Sequence, residues 1–375
     1  MHILVLATEY PPRTSGIGNV ASSLVQQLER MGHSCTVCSP SGRDIQLGSH
    51  DLIERTGILG LLHFWLQVSH HFEDNIYDAI WIHQPLFLRG VAFQNAVYTI
   101  HTTYRGEYAN RVGSPILQSY KKTASLIERS CLRKLGAPSP FTVIDPAVCS
   151  ELEAIGIQSS QVHHIPNGVD STIYKPSRDN SDLRAQFELP EEGRIILSLG
   201  RLTPQKQPEV MVDLYSRIEG RSEDVTLAIA GTGELLERVK ARVRSKGLES
   251  VKFLGYVPES DKPDLYACAD YYIMTSRYEG QPLSLLEAMS SGLPCIVSDI
   301  PNLRMVRDAR CGITIQLKDI GQDSEAIISY LESDTDQDSI RAREHVLQHY
   351  DWRLLAERYL KVFEQAAQGR EIQLL

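Results

Sequence analysis

Short apolar runs alternate with amphipathic stretches along the first half of the chain. The runs are rich in β-branched and aromatic residues, and helical patterns separate several of them. They lie at residues 3–7, 35–39, 79–83 and 96–101. A helix is predicted from about residue 20 to 31, and it ends at Gly32, as helices commonly do. Strands that alternate with helices in this way predict a parallel sheet.

The alternation stops and then resumes in the second half. Residues 170–193 are polar, lack periodicity and predict a linker with a short helix. Further strands are predicted from residue 195 and at 225–230, 251–254, 271–275 and 295–298, and a final amphipathic helix at 352–367. We therefore predict a doubly wound domain at 1–170, a linker at 171–193, a second such domain at 194–349, and a helix at 350–375 that packs back on the first domain.

Composition narrows the class of protein. The chain has 375 residues, 42% hydrophobic and 23% charged, which is typical of a soluble protein with two domains. Its formal net charge of -9 argues against nucleic-acid binding. We expect no signal peptide, and residues 57–68 are too short an apolar run to span a bilayer. Seven irregularly spaced cysteines indicate reduced thiols in a cytoplasmic protein.

Two carboxylates mark the segment YEGQPLSLLEAM as a candidate site. Glu279 follows a predicted strand directly, and Glu287 lies eight residues later, inside the next helix. Ligands of open parallel sheets bind beyond the carboxyl ends of the strands. Gly280 permits a close backbone approach, and a helix beginning near Leu283 offers free N–H groups. This corner suits a ligand with phosphate and hydroxyl groups; the alternative is that both glutamates are solvated surface charges.

Two cations follow the first strand of the second domain. Arg201 offers a planar fork for phosphate oxygens, and Lys206 adds a mobile point charge. Together they would neutralise the charge that develops on a departing diphosphate. The alternative is a pair of ordinary surface cations.

A glycine-containing loop precedes the first helix. Gly16 and Gly18 would cradle a phosphate or a sugar against the helix start, unless the loop is only flexible. With Ala21 they match the dinucleotide fingerprint, but eight residues separate the strand from Gly16 and the acidic residue after the second strand is missing. A dehydrogenase is therefore not expected.

His101 ends a predicted buried strand at the ligand edge of the first domain. It would orient a substrate or relay a proton, or else it is a structural histidine.

Three weaker patterns are better explained as ordinary structure than as functional sites. Cys35 and Cys38 share a strand and would point to opposite faces, and the DxD at 334–336 lies in a polar run. The basic helix at 114–135 is predicted as a surface helix, with contact to anionic lipid left open.

Taken together, these motifs resemble the retaining family-4 glycosyltransferases of the GT-B type, nearly end to end. The most specific motif is E-G-x-P-x-x-x-x-E-A-M from Glu279, followed by G-x-P from Gly292. The supporting motifs are the Gly16–Gly18 loop, Gly32-His33, IPNGVD at 165–170, Gly200-Arg201 with Lys206, AGTGE at 230–234 and FLGYV at 253–257. Two departures stand out: the first loop reads Gly-Ile-Gly-Asn where the family often has Gly-Gly, and Gln207 follows Lys206 where Gly is common.

The resemblance implies an α/β fold of two Rossmann-like doubly wound parallel-sheet domains facing a central cleft. The N-terminal domain would bind the acceptor, and the C-terminal domain the nucleotide-sugar donor. By this resemblance, Arg201 and Lys206 would bind the diphosphate, and Glu287 the ribose. Glu279 would bind the donor sugar, helped by amides from Gly280 to Leu283, and Val257 would contact the base. His101 would lie near the anomeric carbon, and Gly16 and Gly18 near the donor phosphates. No metal and no cofactor are implied.

The resulting hypothesis is a retaining, metal-independent hexosyltransferase that uses a UDP- or GDP-sugar in glycan, glycolipid or polysaccharide synthesis. The acceptor would be a carbohydrate, a lipid-linked molecule or a small molecule, and the protein would be cytoplasmic, with peripheral membrane contact left open. Two alternatives remain: a sugar-nucleotide epimerase or phosphorylase on the same frame, and a non-catalytic nucleotide-sugar-binding protein.

Overall fold

The structure is a computed structural model of the chain. It describes residues 1–12, 16–72, 76–87, 93–109, 115–135, 139–177, 181–221 and 224–373. The chain divides into two compact units. Unit 1 comprises Met1–Gly168 and Trp352–Leu375, and unit 2 comprises Val169–Asp351.

Unit 1 is built on a parallel sheet whose described strands run in the order β3-β2-β1-β4-β5-β6-β7. The strands are β1 (His2–Leu6), β2 (Ser34–Ser39), β3 (Ile45–Gln46), β4 (Ala79–His83), β5 (Ala96–Ile100), β6 (Phe141–Val143) and β7 (Val162–His164). The order reverses between β1 and β4, which is where an open sheet of this kind offers a crevice to a ligand.

Helices cover this sheet and supply its core. They are α1 (Gly16–Arg30), α2 (His50–Thr56), α3 (Ile58–His71), α4 (Tyr104–Ala109), α5 (Pro115–Lys134), α6 (Pro146–Glu153) and α15 (Trp352–Gln373). The final helix, α15, packs on β4 and β5, where the Trp81 ring lies 5.4 Å from that of Tyr359 and 6.0 Å from that of Phe363. These apolar contacts fasten the end of the chain to unit 1.

Unit 2 contains a second parallel sheet, with the order β10-β9-β8-β11-β12-β13. Its strands are β8 (Arg194–Leu199), β9 (Val225–Ala230), β10 (Val251–Gly255), β11 (Tyr271–Met274), β12 (Cys295–Ser298) and β13 (Gly312–Ile315). Here the order reverses between β8 and β11. Both the Gly200-Arg201 segment and Glu279 follow strands at this reversal.

The helices of unit 2 bury apolar faces against both sides of the sheet. They are α7 (Ser181–Gln186), α8 (Pro208–Glu219), α9 (Leu236–Lys246), α10 (Lys262–Ala267), α11 (Leu283–Ser290), α12 (Met305–Ala309), α13 (Ile320–Leu331) and α14 (Asp336–His349). The segment that the sequence predicts as a linker belongs to unit 2. Its Arg184 is 5% exposed and bonds to Asp270, with 2.8 Å between Nη2 and Oδ2.

The predicted parallel sheets are confirmed, and the differences lie in short or weakly patterned elements. The predicted start of the first helix near residue 20 was wrong, because α1 begins one turn earlier, at Gly16. Strands β6 and β7 have three residues each, too few for a periodic signal. In β13 only Ile315 is fully buried, so it lacked a continuous apolar run.

Candidate functional site

An ion pair joins the ends of the two central strands of unit 2. Lys206, in the loop after β8, places its Nζ 2.6 Å from Oε1 of Glu279, in the loop after β11. The Glu279 side chain is only 7% exposed and that of Lys206 is 24% exposed. The fold thus brings together two charges that are 73 residues apart, and it keeps the carboxylate largely out of water.

Hydrogen bonds from backbone and side-chain groups hold these two loops together. The Arg277 N–H donates to the Gln205 carbonyl at 2.8 Å, and the Gln205 side chain donates to the Tyr278 carbonyl at 3.0 Å. The Thr275 hydroxyl donates to the Lys206 carbonyl, also at 3.0 Å. Sequence reasoning missed Gln205 and Thr275, since single polar residues at loop positions carry no pattern of their own.

The backbone at Gln207 gives a physical reason why glycine is common at this position in the family that the sequence resembles. It has a left-handed backbone, with φ 49° and ψ 49°, and it is the N-cap of α8. A side chain disfavours this conformation, whereas glycine adopts it freely. The glycine that is common after the lysine in similar sequences suits this backbone, and the present chain reaches the same geometry with a glutamine.

The loop after β11 leads directly into α11, which begins at Leu283. Pro282 is the N-cap and supplies no side-chain cap. The Asn302 side chain donates to the Glu279 carbonyl at 2.6 Å and so fixes the loop from the β12 side. At Gly280 a Cβ would meet no atom within 4 Å, so the approach to this backbone is open. An anion here would meet the N–H groups of the first turn.

Glu287 is a buried carboxylate on the next turn of α11. It is 6% exposed and accepts a hydrogen bond of 2.9 Å from the Tyr266 hydroxyl. Burial raises the pKa of Glu287, and the nearby Lys262 opposes that rise. A carboxylate in so dry a place is costly unless it has several donors, and a ligand diol would supply two more.

The loops after β8, β9 and β10 lie against one another. A Cβ on Gly231 would stand 2.0 Å from the Gly200 carbonyl oxygen, and the Gly231 N–H donates to the Gly255 carbonyl at 2.6 Å. Val257 is buried, whereas its neighbour Tyr256 is 62% exposed. Glycine is needed at 231 because any side chain would separate these strand ends.

Arg201 is placed beside this cluster but is not part of its ion pairs. The residue is exposed, and in the part of the chain that the structure describes its guanidinium makes no salt bridge. The structure therefore brings Lys206 and Glu279 together and leaves Arg201 facing solvent. An exposed, unpaired guanidinium is available for a ligand anion.

In unit 1, His101 is half of a buried histidine pair. His101 is 3% exposed, and its Nε2 lies 2.9 Å from Nδ1 of His83, at the end of β4. The Trp81 ring covers His83 at 4.0 Å. Burial lowers the pKa of His101 to about 4, and it lowers the pKa of His83 well below the usual value. Both rings are neutral near pH 7, so one donates an N–H to the other.

His83 is a residue that sequence reasoning missed. A usable signal was present: both histidines end predicted strands, and β4 and β5 are neighbours in the sheet. Gly16 and Gly18 lie in the first turn of α1, so they are helical and not in a loop. Residues 13–15 of the predicted glycine loop lie outside the described residues.

A cavity opens at the strand reversal of unit 1. Its volume is about 280 Å³, and it is bordered by groups that follow β1, β4 and β5. The polar residues in its wall are Thr8, Glu9, Gln84, Thr102, Tyr104 and Glu128. It contains hydrogen-bonding groups with no cation among its lining residues, a setting that suits a neutral, hydroxylated molecule.

Two family models match successive parts of the chain. One, described as Glycosyltransferase Family 4, matches residues 14–172, and the other, described as Glycosyl transferases group 1, matches residues 179–345. The chain belongs to the GT-B glycosyltransferases of this family. The resemblance drawn from the motifs is thereby confirmed, and each of the two sheets of this glycosyltransferase falls largely within one model.

Known relatives differ in how much of their length is matched. The chain is 35% identical over 156 residues to a mannosylfructose-phosphate synthase of Agrobacterium fabrum, covering 39% of the chain and 34% of that relative. It is 26% identical over 383 residues to a phosphatidyl-myo-inositol mannosyltransferase of Mycobacterium leprae, covering 95% and 96%. A solved sucrose-phosphate synthase of Thermosynechococcus elongatus superposes with a TM-score of 0.75 at 19% identity, covering 97% and 98%. This last likeness concerns the fold.

Two further observations concern metal binding and membrane spanning in the described part of the glycosyltransferase. Across the described ranges there is no group of three or more His, Cys, Asp or Glu side chains that would hold a metal ion. In the same ranges, every helix is too short or too polar to cross a membrane. Asp334 of the DxD accepts the N–H of Asp336 at the start of α14.

Proposed function

We propose that this glycosyltransferase moves a hexosyl group from a UDP- or GDP-sugar to an acceptor hydroxyl, with retention at the anomeric carbon. The observation that carries the proposal is the Lys206–Glu279 pair at the strand reversal of unit 2. Glu287 follows Glu279 by eight residues and lies inside α11. A cation and two shielded carboxylates at one sheet edge match a ligand that has both an anionic diphosphate and several hydroxyl donors.

The donor would occupy this edge through complementary charges. Arg201 and Lys206 would bind the diphosphate, assisted by the first-turn amides of α11, so that no metal ion is required. Glu287 would accept hydrogen bonds from the two ribose hydroxyls, and Glu279 from hydroxyls of the sugar. The base would lie against Val257. Because Lys206 already pairs with Glu279, diphosphate binding would draw the ammonium partly away and release carboxylate oxygens for the sugar.

The acceptor would bind in unit 1, in the cavity at the strand reversal. In the transfer step the C1–O bond to the diphosphate breaks and a bond from C1 to the acceptor oxygen forms on the same face. The acceptor proton passes to the leaving diphosphate oxygen. Charge stabilisation by Lys206 and Arg201 would supply most of the catalysis. Double displacement through Glu279 as a nucleophile is the competing route.

His101 would act on the substrate through a hydrogen bond. Because its pKa lies at about 4, it is neutral near pH 7 and is no source of a proton there. Its Nε2 is already engaged by His83, which leaves Nδ1 for the substrate. Positioning of the reacting sugar therefore fits this side chain better than general acid catalysis. Gly16 and Gly18, at the start of α1, would approach the donor phosphates.

The mycobacterial relative is named for mannose transfer to phosphatidyl-myo-inositol, which supports a hexosyl donor and a lipid acceptor. Contact with a membrane would come from the start of α5, where Ile116 is 83% exposed and Leu117 is 41% exposed on a basic helix. Co-sedimentation with vesicles containing anionic lipid, compared with neutral vesicles, tests this contact. Failure to bind either kind of vesicle would contradict it.

The test of the function is a donor screen followed by product analysis. UDP-, GDP- and ADP-sugars are compared by thermal shift, and the best donor is then offered with candidate acceptors. We expect one nucleotide class to raise the melting temperature and NMR to show a product with the anomeric configuration of the donor. An inverted product would refute retention. Isomerised sugar, or transfer to inorganic phosphate, would point instead to an epimerase or a phosphorylase.

A further inference from the structure

Unit 1 contains a second cavity, also of about 280 Å³, between α4, α5 and α6. One face of α5 forms a wall, since its lining residues recur at helical spacing. They are Lys122, Ser125, Leu126, Glu128, Arg129 and Leu132. The donor site and the cavity at the strand reversal account for the proposed transfer without this second cavity.

Three cations surround the opening. Arg105 comes from α4, and Lys122 and Arg129 come from α5, about two turns apart on the same face. All three residues are exposed, and within the described residues none of them has an ion-pair or hydrogen-bond partner. Cations that converge on one cavity without partners repel each other, and an anion would relieve that repulsion.

The carboxylates in the wall are already used by the protein. Glu128 accepts the Tyr104 N–H at 2.8 Å, and Glu151 accepts the Thr103 hydroxyl. Both bonds fasten the segment that leads from β5 into α4. These hydrogen bonds leave both carboxylates negatively charged, but the three cations outnumber them, so the lining residues carry a net positive charge.

The floor of this cavity is apolar. Leu132 and Leu152 are 3% and 0% exposed, and Ile155 is 7% exposed. At the rim, Leu126 is 62% exposed and Tyr108 is 38% exposed. A simple phosphate would leave these apolar surfaces wet. A ligand that joins an anionic group to a hydrocarbon chain would match both the cations and the apolar rim.

We propose that this cavity binds the phosphate group of an amphiphilic acceptor, a phosphate ester whose hydrocarbon chain runs over Leu126. This inference rests on the proposed function, which requires an acceptor, and it names the chemical class of that acceptor. Glu128 lines this cavity and also the one at the strand reversal, so the two cavities are neighbours. A phosphate held in the first would place a hydroxylated head in the second.

Binding of a short probe below its micelle concentration tests the proposal without turnover. Octyl phosphate, octyl glucoside and inorganic phosphate are titrated into the full-length protein by calorimetry. We expect octyl phosphate to bind at least about tenfold more tightly than either of the others, because only it engages cations and apolar surface together. Equal binding of octyl glucoside would reduce the cavity to an apolar patch, and equal binding of inorganic phosphate to an anion site; either result overturns the proposal.

Variants locate the binding. The double variant Lys122→Gln with Arg129→Gln is expected to weaken octyl phosphate binding by about tenfold or more. The matched control is Arg353→Gln with Lys361→Gln, which removes the same charge from α15 and should leave the affinity unchanged. Melting temperatures confirm that both variants fold. Unchanged affinity in the cavity variant would refute the site.

A separate titration with UDP and GDP keeps the two proposals distinguishable. The proposed donor residues lie in unit 2 or at Gly16 and Gly18, and none of them lines this cavity, so nucleotide binding should be the same in the cavity variant and in the parent protein. If neither nucleotide binds the parent protein, the proposed donor site fails while the octyl phosphate result still stands. If nucleotide binds but octyl phosphate does not, only the acceptor class is wrong.

Discussion

The first six strands of unit 1 and the six strands of unit 2 have the same order, but the two units present different chemistry at the strand reversal. In unit 2 a cation and a shielded acid, Lys206 and Glu279, meet there as an ion pair. In unit 1 two fully neutral imidazoles, His83 and His101, meet at the ends of neighbouring strands. The same backbone arrangement therefore supports an edge with a lysine, suited to a diphosphate, and an edge whose cavity lining includes no cation, suited to hydroxyl groups. The difference lies in a few side chains that follow the strands.

The largest loss of activity is expected at Lys206, in the charged edge of unit 2. Replacing it, Lys206→Ala, removes the positive charge that is proposed to face the leaving diphosphate, and it leaves the Glu279 carboxylate, 7% exposed, without its partner. We expect kcat/KM for the nucleotide sugar to fall by about 100- to 1000-fold, in line with the loss of one group that stabilises developing charge. Steady-state kinetics measure the fall.

Lys240→Ala is the matched control for this substitution, because Lys240 lies on α9 and pairs with Glu237 in the same helix. Its kinetics should equal those of the parent protein. A loss of less than about tenfold in Lys206→Ala would contradict the role given to the unit 2 edge.

Much of unit 2 was predictable from the sequence, for a physical reason. Its site residues lie in the loops that follow predicted strands, and the motif that contains Glu279 and Glu287 keeps both acids within one loop and one short helix. Local order along the chain then nearly determines the position in space. What could not be predicted is the partner of Glu279, because Lys206 reaches it only through the pairing of β8 with β11.

Unit 1 was less predictable, because its candidate groups come from distant parts of the chain. Its two cavities draw residues from the ends of three strands and from α4, α5 and α6. No short motif contains such a set. His101 was identified as a candidate, but His83, 18 residues earlier, gained its meaning only when β4 and β5 were found side by side.

The second prediction concerns the neutral edge of unit 1. His83→Leu would remove the hydrogen bond to His101 while keeping an apolar side chain against Trp81. We expect kcat to fall by about tenfold, which corresponds to one buried hydrogen bond of about 1.5 kcal/mol. His83→Asn, whose amide can replace the nitrogen facing His101, should recover part of that loss. The measurement is kcat together with the affinity for the nucleotide.

The test is specific because kcat is expected to change while the affinity for the nucleotide is not. The nucleotide contacts proposed for Arg201, Lys206 and Glu287 lie in unit 2, so nucleotide affinity should stay unchanged in both His83 variants. A general loss of stability would lower the melting temperature and affect both variants alike. If His83→Leu retains full kcat, or if His83→Asn is no better than His83→Leu, His83 does not position His101.

The third prediction concerns stability and its dependence on pH. Burial raises the pKa of Glu287, so the folded protein holds this proton more tightly than the unfolded chain does. At neutral pH the ionised carboxyl therefore lowers stability; this loss shrinks as the pH falls below the folded-state pKa and is gone below the unfolded-state pKa. Glu287→Gln keeps an oxygen for the Tyr266 hydroxyl without the charge. We expect it to raise the free energy of unfolding by about 1 kcal/mol near neutral pH.

Urea unfolding of the two proteins at several pH values measures this difference, which should shrink as the solution becomes acidic. The same variant should lose the increase in melting temperature that the nucleotide gives the parent protein. A variant that is less stable than the parent at neutral pH, or that still responds fully to the nucleotide, would contradict the account of this carboxylate.

The smallest expected effect comes from Gln207, between Lys206 and α8. Its left-handed backbone costs a residue with a side chain about 1 kcal/mol, whereas glycine tolerates it but loses more backbone entropy on folding. These terms oppose each other, so Gln207→Gly should raise the free energy of unfolding by no more than about 0.5 kcal/mol. Gln207→Ala keeps the Cβ and the strain, and it should show no gain. Urea denaturation of the three proteins decides the point: if the alanine variant is as stable as the glycine variant, the backbone conformation is not the reason that glycine suits this position.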